Sequence, residues 1–226
     1  MLDLTANIAG PSATMILADL GADVIKIERP DGGDDGRKMG PCRGNWSAAF
    51  VPINRGKRSL ALDVRRAEGL DTVLRLAARS DVFIQNFRFG NAASMGLDEK
   101  SLRAVRPDII YASLTAFGSR GPDHERPGYD ALLQARTGIV SVTGARKGEE
   151  SRTGISVMDV GSGIWMALGI LAALFERQRT HMGQRVENSL FETGIMWMNY
   201  CLLIRQFSGA DPEPLGMKSP AFAPYR

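Results

Sequence analysis

Three arginines stand just after short β-branched runs: I-K-I-E-R ends at Arg29, L-A-L-D-V-R at Arg65 and V-F-I-Q-N-F-R at Arg88. A guanidinium grips phosphate oxygens through paired N–H donors, so the set points to a phosphate-bearing ligand. Asn86 and Phe87, directly before the third arginine, add an amide and an aromatic surface suited to a nucleotide base. The first run instead enters Ala9-Gly10-Pro11, where a helix N-terminus would offer free N–H groups to an anion. Each arginine taken singly also reads as an ordinary solvated loop residue.

Asp159 is the candidate for covalent chemistry. It precedes Val160-Gly161-Ser162-Gly163, read as a strand-to-helix turn. There the helix end would keep a carboxylate ionised, and the glycines would leave room for a reacting carbonyl. A plain helix-capping aspartate fits the same position. Gly161 and Gly163 also invite a dinucleotide reading, with Glu187 near the end of the next strand. That fingerprint fails where its third glycine should be, at Met166, whose side chain would obstruct close helix-to-strand packing.

Positioning these residues requires a sheet whose strands all end on one side. Short β-branched runs alternate with longer amphipathic ones, which predicts an α/β fold with an open, mostly parallel Rossmann-like sheet and helices on both faces. Strands are expected at residues 2–5, 23–28, 59–64, 81–85, 109–114, 155–160 and 185–190. Helices are expected at 11–20, ending at Gly21, and at 68–78, 129–135, 164–178 and 191–207. Residues 29–46 and 118–128 read as extended loops, long enough to cover something.

With 44% hydrophobic residues and 28 Lys+Arg against 25 Asp+Glu among 226, the chain has the makings of a packed core and no polyelectrolyte signature. General nucleic-acid and membrane binding are therefore not expected, and the longest apolar run, 164–175, is shorter than a membrane span. Two distant cysteines, Cys42 and Cys201, and two histidines make neither a disulfide framework nor a metal site legible. A reducing, cytoplasmic setting is expected.

Six blocks in order carry a resemblance: L-D-L-T-A-N-I-A-G-P, A-D-L-G-A-D-V-I-K-I-E-R-P, N-R-G-K-R-S-L-A-L-D-V, Q-N-F-R-F-G, P-G-Y-D before L-L-Q-A, and M-D-V-G-S-G before L-G-I-L-A-A-L-F-E-R. Over the whole chain they resemble class III CoA-transferases, the family of formyl-CoA and carnitine CoA-transferases. The resemblance implies transfer of CoA from an acyl-CoA donor to a carboxylic acid acceptor, with no metal, through an aspartyl mixed anhydride and thioester. It implies Asp159 as the nucleophile and Tyr129 as the active-site tyrosine, with N–H groups of the Gly161 to Gly163 turn stabilising oxyanions. It places CoA contacts at Ile8, Ala9, Arg29, Leu62, Arg65, Asn86, Phe87 and Arg88. It further implies a homodimer of interlocked subunits, a large-domain portion at 1–210, and a linker at 211–226 towards a smaller domain.

Two positions depart from formyl-CoA transferase, which has a glutamine at Ile8 and a CoA-contacting arginine at Ser94. The related α-methylacyl-CoA racemase is the alternative of the same fold, but its histidine falls at Tyr129, a poor base at neutral pH. A noncatalytic CoA-binding fragment is the alternative of another class.

Overall fold

A computed structural model describes residues 1–219 of the chain. In order they form β1 (Leu2–Leu4), α1 (Ala9–Asp19), β2 (Val24–Glu28), a 3₁₀ turn (Asp35–Lys38), β3 (Cys42–Arg43), β4 (Trp46–Ser47), α2 (Val51–Asn54) and β5 (Lys57–Ala61). Then follow α3 (Ala67–Ala77), β6 (Val82–Gln85), α4 (Asn91–Ser94), α5 (Glu99–Val105), β7 (Ile110–Thr115), α6 (Asp130–Thr137), α7 (Ile139–Val142), α8 (Val157–Thr180), β8 (Arg185–Ser189) and α9 (Leu190–Ser208). Of the expected linker, residues 211–219 carry no helix or strand, and 220–226 lie outside the described residues.

Six strands make one parallel sheet in the order β5-β2-β1-β6-β7-β8. The chain builds outwards from β1 to one side and then, from β6, to the other. The crevice beyond the carboxyl ends of β1 and β6 is thus the topological switch point, where such sheets bind ligands. Because every strand is parallel, Arg29, Arg65 and Arg88 all follow strand ends on the same edge.

Alternation along the strands feeds two cores. Val82, Ile84, Ile110, Ala112 and Leu114 pack with α1, α8 and α9 on one face. Leu2, Leu4, Phe83, Ile109 and Tyr111 pack with Val73, Ala77 and Leu102 of α3 and α5 on the other. The helix at 11–20 stops as expected, with Gly21 at φ +100° just past its end.

Two expectations need correction. Residues 155–160 are not a strand: α8 begins at Val157 and runs unbroken to Thr180. The I-S-V-M-D-V pattern imitates a strand, but in the helix only Met158 and Val157 reach the core, while Ile155 and Val160 stay exposed. The loop at 29–46 is also not featureless, since it holds the 3₁₀ turn and the antiparallel β3-β4 hairpin. By length and composition α8 is apolar enough to cross a bilayer. In the fold its stripe of Met158, Met166, Ile170 and Ala173 is buried in the core, the environment of a central helix.

Candidate active site

Asp159 occupies the third position of α8, and the first four N–H groups of that helix are fully accounted for. Val157 donates to Ile155 O at 2.9 Å and Val160 to Ser156 O at 3.0 Å. Met158 and Asp159 donate to Asp130 Oδ2 at 2.8 and 3.3 Å. Ser156, the N-cap, contributes no side-chain bond. A carboxylate from the start of α6 therefore caps α8 from outside it. Gln134 holds that carboxylate by donating Nε2–H to Asp130 Oδ1, while its Oε1 accepts from Thr153 N at 2.8 Å.

With those N–H groups taken, the Asp159 side chain has no hydrogen-bond or ion-pair partner among the described residues. Burial, with the Asp130 charge adding to it, pushes its carboxyl up to about 7. The expected carboxylate held ionised by the helix end is thus replaced by one poised near neutrality. Gly161 and Gly163 do not form a turn, and their N–H groups lie inside the helical ladder, so they are not free to hold an oxyanion. They serve close packing instead. A Cβ at 163 would come within 2.8 Å of Ser12 Cβ and 2.9 Å of Ala9 O on α1, and one at 161 within 2.9 Å of the Trp197 ring. The dinucleotide fingerprint has no strand-to-helix glycine turn here to rest on.

Asp159 lines a cleft of about 950 Å³ together with Ile8, Ala9, Asn86, Phe87, Arg88 and Tyr129. Phe87 also lines an adjoining cavity of about 290 Å³, where Arg29, Leu62 and Arg65 lie. All ten residues expected to act are thus on one edge of the sheet, in two neighbouring hollows. Ser94 lines neither.

The ten differ in what they have left to offer. Arg29 pairs with Asp35 and donates to Asp31 O, and Arg65 pairs with Asp63. The Arg88 guanidinium has no carboxylate or hydrogen-bond partner among the described residues, so it is the uncommitted one. The Asn86 amide is not free for a ligand. It accepts from Ala6 N at 3.0 Å and donates to Ala6 O at 2.9 Å, which fastens the loops after β6 and β1 across the switch point. Tyr129, 69% exposed, is the N-cap residue of α6 and reaches the cleft from there. Ile8 heads α1 without a side-chain cap bond, leaving that helix end to the cleft.

Sequence reasoning missed the residues that hold this edge in shape. Asp34 Oδ1 accepts from Asn7 N and Gly36 N, each at 2.9 Å, and Oδ2 pairs with buried Lys26 at 2.9 Å. That pins the 29–46 loop to the switch point. Lys57 similarly reaches Asp3 Oδ2, Pro11 O and Asn54 Oδ1. Burial works against ionisation of Asp3, yet Lys26, Lys57 and the hydroxyls of Thr14 and Thr5 hold its carboxyl below the ordinary range. Asp130 was visible only as the D of P-G-Y-D.

A model of CoA-transferase family III matches residues 1–226. The chain belongs to CoA-transferase family III. Among its family III relatives, succinate–glutarate CoA-transferase of Agrobacterium fabrum is 40% identical over 237 residues, covering 100% of this chain and 58% of the relative. Acetyl-CoA:oxalate CoA-transferase of Acetobacter aceti is 37% identical, again covering 100% and 58%. A crystal structure of a CAIB/BAIF family protein from Brucella suis superimposes with a TM-score of 0.93 at 39% identity, over 100% of this chain and 61% of that one. This family III chain spans little more than half the length of those relatives.

Proposed function

We propose that the chain carries the nucleophile and the CoA-binding edge of an enzyme that moves CoA from an acyl-CoA donor to a carboxylic acid acceptor. One observation carries this reading: the Asp159 carboxylate, free of internal partners, opens onto a cleft whose rim is built from the candidate CoA contacts. A carboxylate near pH 7 is a stronger nucleophile than an ordinary aspartate and is still about half ionised at neutrality.

In this reading an Asp159 oxygen attacks the thioester carbon, the C–S bond breaks, and the sulfur leaves as thiolate, giving an aspartyl mixed anhydride. Return of the thiolate to the Asp159 carbonyl releases the donor acid and leaves an aspartyl thioester. The acceptor carboxylate attacks that carbonyl and expels the thiolate again. The thiolate then takes the acyl group from the second anhydride, freeing Asp159 with no net consumption of thioester energy.

The relatives named for succinate, glutarate and oxalate favour a dicarboxylic acid as acceptor. Arg88 and Arg152, both on the cleft and without carboxylate partners among the described residues, suit such an acid's second charge. A homodimer also belongs to the proposal, supported by the exposed apolar residues of α8 and α9, among them Leu168, Phe175, Tyr200 and Phe207. So does a cytoplasmic setting, supported by the two free cysteines. Residues 1–210 are the large-domain portion in this scheme.

Incubation with succinyl-CoA followed by hydroxylamine and peptide mass spectrometry tests the assignment. The aspartyl hydroxamate is expected at Asp159. Finding it on another carboxylate, or turnover undiminished in Asp159→Asn, overturns the reading.

A further inference from the structure

The cap on α8 is a carboxylate whose two oxygens both accept, Oδ2 from the Met158 and Asp159 N–H groups and Oδ1 from the Gln134 amide. Asparagine, with one acceptor oxygen, would cap the helix but turn an N–H donor towards Gln134, so this place calls for a group that accepts on both sides. Asp130 is only 7% exposed and Gln134 is fully buried, so the charge is held in the protein interior with its second oxygen fastened to the Gln134 amide. An aspartate in the first turn ordinarily turns its side chain back onto nearby backbone N–H groups. Here Asp130 takes those of Met158 and Asp159, and the Asp159 side chain is left to the cleft.

We propose that Asp130 is a positioning residue for Asp159: its buried carboxylate occupies the N–H groups that would otherwise sequester the Asp159 side chain, and sets a fixed negative charge beside it. This rests on the reading of Asp159 as nucleophile and adds the group that keeps it unbound and basic.

The other charged groups on the cleft are Asp35, Arg88, His124, Glu125, Arg126 and Arg152, with the Tyr129 hydroxyl. All come from loops or the mouth of the cleft. From the elements packed on α8, Glu192 of α9 is turned to its own capping bonds with Ser189, and Glu187 of β8 pairs with Arg185. At its end nearest the cleft α1 has no ionisable side chain. Asp130 is therefore the charge seated directly at the Asp159 backbone.

Carboxyl ¹³C NMR titration of the 226-residue chain, with amide exchange, tests the proposal. In the wild type the Asp159 carboxyl should titrate near 7. Asp130→Asn removes the charge and should lower that midpoint by about one pH unit. Gln134→Ala loosens the same network but keeps the charge, so it should speed exchange at Thr153 while leaving the midpoint near the wild-type value. An unchanged midpoint in Asp130→Asn overturns the proposal. So does an equal fall in Gln134→Ala, because loosening alone would then explain it. These readouts need no acyl-CoA, so they fail or succeed separately from the adduct test. Where the adduct forms, the acid limb of its formation rate should move down in Asp130→Asn by the same amount.

Discussion

Replacing Asp159 with asparagine should make the fold more stable at alkaline pH, the opposite of what loss of a capping aspartate would do. The folded chain keeps the Asp159 proton up to about pH 7, whereas an unfolded aspartate releases it near 3.8. Between those values the native state binds more protons, so stability falls as pH rises through the window and the full cost is present above 7. At 1.36 kcal/mol per pH unit the gap corresponds to about 4 kcal/mol. The cleft admits water to the carboxylate, and halving the figure for that screening leaves about 2 kcal/mol. Asparagine carries no charge and has a similar helix propensity. Urea unfolding at pH 8 should show Asp159→Asn more stable by about 2 kcal/mol, with the difference closing by about pH 4. Equal stability at pH 8, or a difference that does not change with pH, would refute the claim that burial and Asp130 hold this carboxyl high.

The rim and the helix crossing make two further predictions. Arg88→Ala should weaken CoA binding by about ten- to hundredfold in a calorimetric titration, since a charge-assisted contact contributes about 1.5–3 kcal/mol. Arg29→Ala should cost less, because Arg29 must first leave Asp35, and the reverse ranking would count against that account. Gly163→Ala should destabilise the chain by about 1–3 kcal/mol in thermal melts, as its Cβ would meet backbone at Ala9 O. An unchanged midpoint would show that α1 and α8 can part without cost.

The parallel sheet was legible because β-branched strands such as Val24–Glu28, Val82–Gln85 and Ile110–Thr115 alternate with amphipathic stretches such as Ala67–Ala77, and that is also why the arginines could be assigned to one edge. What failed at residues 155–160 has a physical reason. The start of α8 is set by Asp130, 28 residues upstream of the Met158 amide it caps, and local pattern carries no trace of a cap supplied from another helix. Gly161 and Gly163 were misread for the same reason. Their meaning lies in how near Trp197 and α1 come, which only the packed structure reveals. Asn86 lies on the expected edge, but one strand end does not say whether an amide will face a ligand or, as here, the backbone of Ala6.

The contact at Gly163 gives the cleft one immovable jaw. Ala9 opens α1, and Asp159 lies one helical turn before Gly163 on α8, so the two helix heads are keyed together where their backbones nearly touch. Neither helix can slide along the other without driving Ala9 O or Ser12 into the partner chain. The span between the start of α1 and Asp159 is therefore a property of two rigid rods and their notch. Residues 118–128, and the parts of 29–46 away from the buried Asp34 anchor, hang on the same edge as loops and can lengthen, shorten or change side chains without altering that span. Tolerance for new substrates would then accumulate in the loops, while the gauge between the ligand's anchor and Asp159 stays unchanged.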